Sequence, residues 1–325
     1  MRTRYFYALA AAALLTVAVA TLTLGDLGIP LQKLPAALSG DATGKAAFVM
    51  ERLRGPRLAA ALLAGALFGV AGALFQSVNA NPLGSPDVIG LGAGAGAGVA
   101  VTTLLLPAVP ASLGAVAGAT VATGLVFLST GVGFRSPTRS IIAGIGVAAL
   151  AHAITHYVVS VQLRDAGSQL AAFVVGSLAS TTLADVAVVA IATVVLLPVA
   201  LSISADITIL EIGDEAASGV GVNPDRTRTL AVVLSVLASG AAVAGAGPIA
   251  FVALTAPQIA RRILATSSVS VLPSALTGAL ILAVSDLAVQ QVPLFSGLPA
   301  GVLTLGVGGV FLGYLLVAEH SKGRL

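Results

Sequence analysis

Apolar runs dominate this chain, and polar residues only punctuate them. Runs long enough, or nearly so, to cross a bilayer recur at roughly 5–25, 57–78, 88–106, 110–132, 139–162, 183–203, 227–246, 247–262, 272–291 and 298–318, against the roughly 20 residues that a ~30 Å hydrocarbon core requires. The eighth run is the shortest. This pattern predicts an all-α integral membrane protein with about ten transmembrane helices in one transmembrane domain over residues 1–325. Two polar interruptions exceed the rest. The first, at about 26–56, runs into the arginines Arg52, Arg54 and Arg57; the second, at about 204–228, carries Glu211, Asp214, Glu215 and Asp225.

Composition makes the bilayer, not water, the solvent. Of 325 residues, 57% are hydrophobic and 9% charged, whereas soluble domains carry about 25% charged residues. So little charge cannot cover a water-facing surface. The net charge of +3 comes from basic residues at span ends, and without an aromatic-interleaved basic patch it does not signal nucleic acid. The absence of cysteine excludes disulfides, thiolate metal sites and a Cys nucleophile. At the N-terminus, Arg2 and Arg4 precede an apolar stretch from Tyr5 to Leu24. Ala18-Val19-Ala20 has the form of a signal cleavage site, but the stretch exceeds the roughly 7–15 residues of a signal core and suits a retained first span.

Charge then orients the spans. With the N-terminus in the cytoplasm, Arg2, Arg4, Arg135, Arg139, Arg226, Arg228, Arg261, Arg262, Lys322 and Arg324 fall inside, and Lys33, Lys45, Arg52, Arg54, Arg57 and Arg164 fall outside. Ten against six follows the positive-inside bias, which is weak in long loops such as the outer one. Arg54 and Arg57 stand at the outer start of the second span, on the wrong side. They are either snorkelling interfacial arginines or a docking surface. Inside the second interruption, Gly213–Asn223 is too polar to span and too short to be a domain; a cytoplasmic elbow of that kind suits contact with a soluble partner. Arg54-Gly-Pro-Arg57-Leu-Ala and Arg226-Thr-Arg228-Thr-Leu-Ala open runs of spans from opposite sides, a faint inverted-repeat echo of the sort found in transporters.

Groups capable of chemistry are few. Gly90–Gly98 superficially matches a dinucleotide loop, but no strand precedes it and no acidic residue follows about twenty positions on. Its spacing gives two small-residue faces instead, Gly92/Gly96 and Gly94/Gly98, suited to tight helix packing. No GxxxxGK[ST] occurs, so this chain has no P-loop for ATP. His152 and His156 share one helical face, as polar groups lining a path, buried hydrogen-bonding groups or a metal pair lacking an evident third ligand. Asp286, within or near the end of the ninth span, is the intramembrane carboxylate, with a packing, gating or proton-relay role.

Three stretches together resemble one known family. They are Leu53-Arg-Gly-Pro-Arg57 continuing through Gly72-Ala-Leu-Phe-Gln76 to Asn81-Pro-Leu-Gly-Ser-Pro-Asp87 and Gly90; Gly213-Asp-Glu-Ala-Ala217 with Gly219-Val-Gly-Val-Asn223; and Ala244-Gly-Ala-Gly-Pro-Ile-Ala-Phe-Val252 with Ala256-Pro257-Gln-Ile-Ala-Arg261. The chain resembles the FecCD-type permeases, membrane subunits of type II ATP-binding-cassette importers for iron–siderophores, haem and cobalamin. The resemblance implies the type II importer permease fold, with ten helices and both termini in the cytoplasm of a bacterial inner membrane. It also implies a second permease, two ATPase subunits that hold the ATP and magnesium, a substrate-binding protein outside, and no cofactor or covalent chemistry in this chain. By position, Arg54 and Arg57 match the family's docking arginines for acidic residues of the binding protein. Gly213, Asp214, Glu215, Ala216, Ala217, Gly219, Gly221, Val222 and Asn223 match its coupling helices, with Asp214 and Glu215 able to meet basic residues of the ATPase. Asn81 and Leu83 match a candidate gate near the inner end of the path, which His152 and His156 would line. Where some members carry a third basic docking residue, this chain has Gln290 or Gln291.

Overall fold

A computed structural model describes residues 2–130, 137–162, 175–268 and 270–320. Arg135, Arg164, Lys322 and Arg324 of the charge topology lie outside these residues. Ten helices of 13 residues or more are described: α1 (Arg2–Thr23), α2 (Arg54–Val78), α3 (Leu91–Leu105), α4 (Ala111–Thr130), α5 (Pro137–Tyr157), α6 (Leu183–Ser202), α7 (Pro224–Ala246), α8 (Val252–Leu264), α9 (Val271–Gln291) and α10 (Ala300–His320). Seven of them (α1, α2, α4, α5, α6, α7 and α9) are long and apolar enough to cross a membrane, and α3 and much of α10 form shorter apolar helices.

The eighth run is a half-length helix rather than a span. At 13 residues, α8 extends about 20 Å, short of the ~30 Å hydrocarbon core. The cause is local. Gly247 takes φ 74° and Phe251 φ 69°, which ends α7 and sets an irregular stretch before α8 begins. Irregular backbone at membrane depth is tolerated only where protein covers it, and Ile249 in that stretch is fully buried.

Helix α2 is the axis of the bundle. Of its most apolar window 78% is buried, against 11% for α6, so α2 is wrapped by protein whereas α6 faces outward. Close approach explains the small residues along α2. Methyl groups at Gly65 and Gly69 would overlap the backbone of α9 at Gly278 and Ser274. Gly72 packs instead on the Ala253 carbonyl of α8, whose usual i+4 donor is removed because that position is Pro257.

The helices bring distant polar segments to two ends. At one end lie the C-terminus of α1, the start of α2, the end of α9 and the small lobe at 25–53. That lobe has its own core of Ile29, Ala37, Ala46 and Val49, and Lys45 Nζ donates to the Asp26 carbonyl at 2.7 Å. At the other end, about 37 Å away along the 25 residues of α2, lie the end of α2, the end of α8 and the segment 204–223.

Candidate functional site

The arginines at the first end are engaged inside the protein. Arg54 is 8% exposed, and its Nη1 donates to the carbonyls of Thr21 (2.8 Å) and Leu24 (2.5 Å), at the C-terminus of α1. A cation there satisfies carbonyls without intrahelical partners and complements the helix dipole. Arg57 grips Asp286 of α9 in a fork: Nε donates to Oδ1 and Oδ2 at 2.9 and 3.0 Å, and Nη2 to Oδ1 at 2.7 Å. Gln290 Nε2 adds a bond to Oδ2 at 2.7 Å, and Gln291 Nε2 reaches the Leu24 carbonyl at 3.3 Å. Asp286 is 1% exposed. Arg54 is therefore buried rather than snorkelling, and Arg57 keeps only a partly exposed side chain. Both glutamines are joined to the clamp that ties α1, α2 and α9 together. Arg52, two residues before the start of α2, is exposed.

The elbow at the second end has the opposite character. Helix Asp214–Gly219 is anchored by Ala217, which is fully buried, and by Arg228, whose Nη1 and Nη2 donate to the Asp214 carboxylate at 2.9 and 2.5 Å. The hydrogen bonds from Arg228 hold the Asp214 carboxyl below its ordinary range. Asp214 thus has an internal partner, whereas Glu215 and Ala216 are exposed. Asn223 caps α7 by accepting from the Arg226 N–H at 3.0 Å, and the Val222 N–H donates to the Ala217 carbonyl. Gly213 (φ 128°) and Gly221 (φ 88°) occupy backbone conformations that favour glycine. Gly219 does not, and a side chain added there would enter open space. Flanking the helix, Ile212 is 75% and Val220 67% exposed.

Asn81 and Leu83 lie in the turn that follows α2. The Leu83 N–H donates to Asn81 Oδ1 at 2.9 Å, and the preceding Ala80 takes φ 47°. Beneath this turn is a network that residue spacing did not reveal. Gln258 Nε2 of α8 donates both to Gln76 Oε1 (2.6 Å) and to the Pro82 carbonyl (2.8 Å). Gln76 Nε2 donates to the Leu254 carbonyl (2.9 Å), and Arg261 Nη2 approaches Gln76 Oε1 at 3.4 Å.

The two histidines share a face of α5 but not a cavity. Both are exposed on α5, with ring centroids 6.4 Å apart, but only His152 lines a cavity of about 210 Å³ shared with Asp87, Gly92, Gly96, Thr155 and Pro248. Burial pushes the Asp87 carboxyl up to about 6, with its bond to Ser85 opposing. Among the described residues, no group of three or more His, Cys, Asp or Glu is placed to hold a metal ion. The glycine-rich helix α3 divides its faces. Gly94 and Gly98 press on Gly118 and Gly114 of α4, while Gly92 and Gly96 give the cavity its room, which corrects the expectation that both faces serve packing.

With this geometry in place, comparison with known proteins is decisive. Residues 13–318 match the model of the FecCD transport family. The chain belongs to that family. Among relatives of this FecCD chain, the ferric enterobactin transport system permease FepG of Escherichia coli is 37% identical over 302 residues, covering 92% of this chain and 91% of FepG. The Fe(3+)-citrate import permease YfmE of Bacillus subtilis is 32% identical, covering 85% and 84%. In fold, the chain resembles a solved inward-facing metal-chelate type ABC transporter with TM-score 0.83 at 21% identity, over 97% of this chain and 99% of that one. This FecCD permease is thus a multi-pass protein of the bacterial inner membrane. Its arginine, elbow and turn motifs are visible as sequence. Gln76 and Gln258 stand inside two of the family stretches, and nothing in the spacing of two glutamines marks them as partners.

Proposed function

We propose that this chain is the permease subunit of an ATP-driven importer for a ferric siderophore. The observation that carries the reading is 37% identity across nine-tenths of both chains to a ferric enterobactin permease, with iron-citrate permeases close behind. In this reading both termini are cytoplasmic, two ATPase subunits hydrolyse ATP beneath two permease chains, and no reaction occurs in this chain. The elbow Gly213–Asn223 meets the ATPase. Exposed Ile212 and Val220 at the end away from the outer lobe support this, because apolar side chains flanking a polar surface helix suit burial against a partner. The binding protein docks at the outer lobe around Arg54 and Arg57. Exposed Arg52, Leu31, Leu38 and Phe48 offer the contact surface there, Arg57 adds its partly exposed edge, and Arg54 fixes the platform. Asn81 and Leu83 gate the inner end, and His152 lines the path.

A proton-coupled secondary transporter fits less well, because the Asp286 carboxylate that would relay protons already accepts bonds from Arg57 and Gln290. The test is uptake by proteoliposomes holding permease and ATPase, with binding protein outside. Radio-iron in catecholate, hydroxamate and citrate chelates is compared with haem and cobalamin. ATP-dependent uptake of an iron chelate is expected. Uptake driven by a proton gradient without ATP, or uptake of cobalamin or haem alone, would sink the siderophore reading.

A further inference from the structure

We propose that Gln258 and Gln76, with Arg261, form a buried latch through which the elbow sets the position of the turn carrying Asn81 and Leu83. The proposal rests on the reading that the elbow meets the ATPase. Gln76 is 2% exposed and Gln258 7%. Both are neutral amides deep in a bundle whose neighbouring positions are almost all apolar, and polar groups there persist only when satisfied. Their bonds account for them closely. Both Nε2 protons of Gln258 have acceptors, Gln76 Oε1 and the Pro82 carbonyl, and Gln76 Oε1 also faces Arg261. Rotating the Gln258 amide by half a turn would set its oxygen against two other oxygens, so the orientation is fixed by chemistry.

This network joins the end of α2, the turn that follows it and α8. Pro82 lies inside the turn, between Asn81 and Leu83, so the Gln258 bond acts on the candidate gate itself. Gln76 is in the last turn of α2, whose carbonyl accepts from the Asn81 N–H at 3.2 Å. Arg261 Nη1 also reaches the Ser267 carbonyl at 3.3 Å. The helix Ser204–Leu210, with Ile207 and Leu210 buried, packs against both α2 and the elbow helix Asp214–Gly219. A displacement of the elbow therefore bears through that helix on α2, which carries Gln76. Arg261 abuts the same oxygen that orients Gln258, and Gln258 holds the turn. Ala80, just before this turn, is held at φ 47°, a backbone conformation that side-chain-bearing residues adopt only under constraint. These are positioning residues: none needs to touch cargo.

The chain has no cysteine, so a single introduced thiol reports on one place. Leu83, 43% exposed, is suited to Leu83→Cys, and exposed Ser218 on the elbow to Ser218→Cys. In nanodiscs containing the permease with its ATPase, maleimide labelling of Leu83→Cys is measured with and without nucleotide. Labelling of Ser218→Cys is measured with and without ATPase. ATPase is expected to protect Ser218→Cys, and nucleotide to change the Leu83→Cys rate. Gln258→Met and Gln76→Met, which keep volume but remove the amides, should each shrink the Leu83→Cys response by about fivefold, the factor one hydrogen bond of ordinary net strength supports. Ser218→Cys protection should stay intact, and the double variant should lose no more than the worse single one, because the two act as a unit. Gln258→His, whose ring N–H can still donate to Pro82, should recover part of the response. Two variants are used so that misfolding of one leaves the other informative. If ATPase fails to protect Ser218→Cys, the elbow reading falls and the latch with it. If protection holds while the Leu83→Cys response survives both Met variants, the latch alone is overturned.

Discussion

The arginine clamp and the elbow look alike as strings of letters, each a polar break with several charges, yet the fold treats them in opposite ways. At the clamp, Arg54, Arg57, Asp286 and Gln291 join three helices through six hydrogen bonds, and Gln290 adds a seventh to Asp286 within α9. At the elbow, one ion pair and one buried alanine fix a short helix, and Ile212, Val220, Glu215 and Ala216 are left facing out. The comparison teaches that a charge at a membrane boundary does not by itself mark a docking group. What matters is whether the fold supplies a partner. The clamp contributes to stability, and the elbow presents a surface.

The largest expected effect separating them is at Asp286. Arg57→Ala leaves a buried carboxylate without its cation, and breaking a buried pair in this way costs about 3–5 kcal/mol. It should appear as a marked fall in the thermal unfolding midpoint of the detergent-purified protein. Adding Asp286→Ala should recover much of it; an undiminished midpoint in Arg57→Ala alone would show the clamp to be dispensable. Next is Arg54→Ala, which removes two charge-assisted bonds to α1 carbonyls, for about 2 kcal/mol. Proteolysis in the 24–53 lobe should rise in parallel, since α1 then loses its tie to α2.

A smaller effect is expected for the Asp214–Arg228 pair, which lies at the surface where ion pairs contribute little. Because the folded Asp214 is held below its ordinary 3.8, its contribution is present at neutral pH, complete above that ordinary value, and lost as pH falls through the lowered one. Asp214→Asn should therefore loosen the elbow at pH 7, seen as lower amide-exchange protection over 214–219 relative to the intrinsic rate, and make that protection insensitive to acid. The smallest effect on stability is expected from Gly219→Trp. Open space at that position and an ordinary backbone conformation leave the unfolding midpoint unchanged. Loss of ATPase co-purification in that variant would sharpen the contrast between a surface and a clamp, and normal co-purification with normal uptake would erase it.

How much could be read beforehand varies by element. The two polar breaks, the elbow, and nine of the ten apolar runs as helical spans or near-spans follow from local pattern, because hydropathy depends on a residue and its near neighbours. The eighth run, already the shortest as sequence, is shorter still as a helix: Gly247, Pro248 and Phe251 interrupt what an apolar count treats as continuous. The inward turn of Arg54 and Arg57 was not legible either, since a span-end arginine has the same local signature whether it faces water, headgroups or a buried acid.

The sequence by itself determined that this chain lives in a membrane, roughly where it crosses, and which family motifs it carries. These are sums of short-range terms, each a transfer free energy or a local hydrogen bond. Only the tertiary structure decided the partners. Arg57 meets Asp286 across 229 positions, Gln258 meets Gln76 across 182, and one glycine face of α3 packs while the other opens a cavity. Such pairings depend on how helices return past one another, and hydrogen bonds in a medium without water are so demanding of geometry that the fold, not the residue type, selects them.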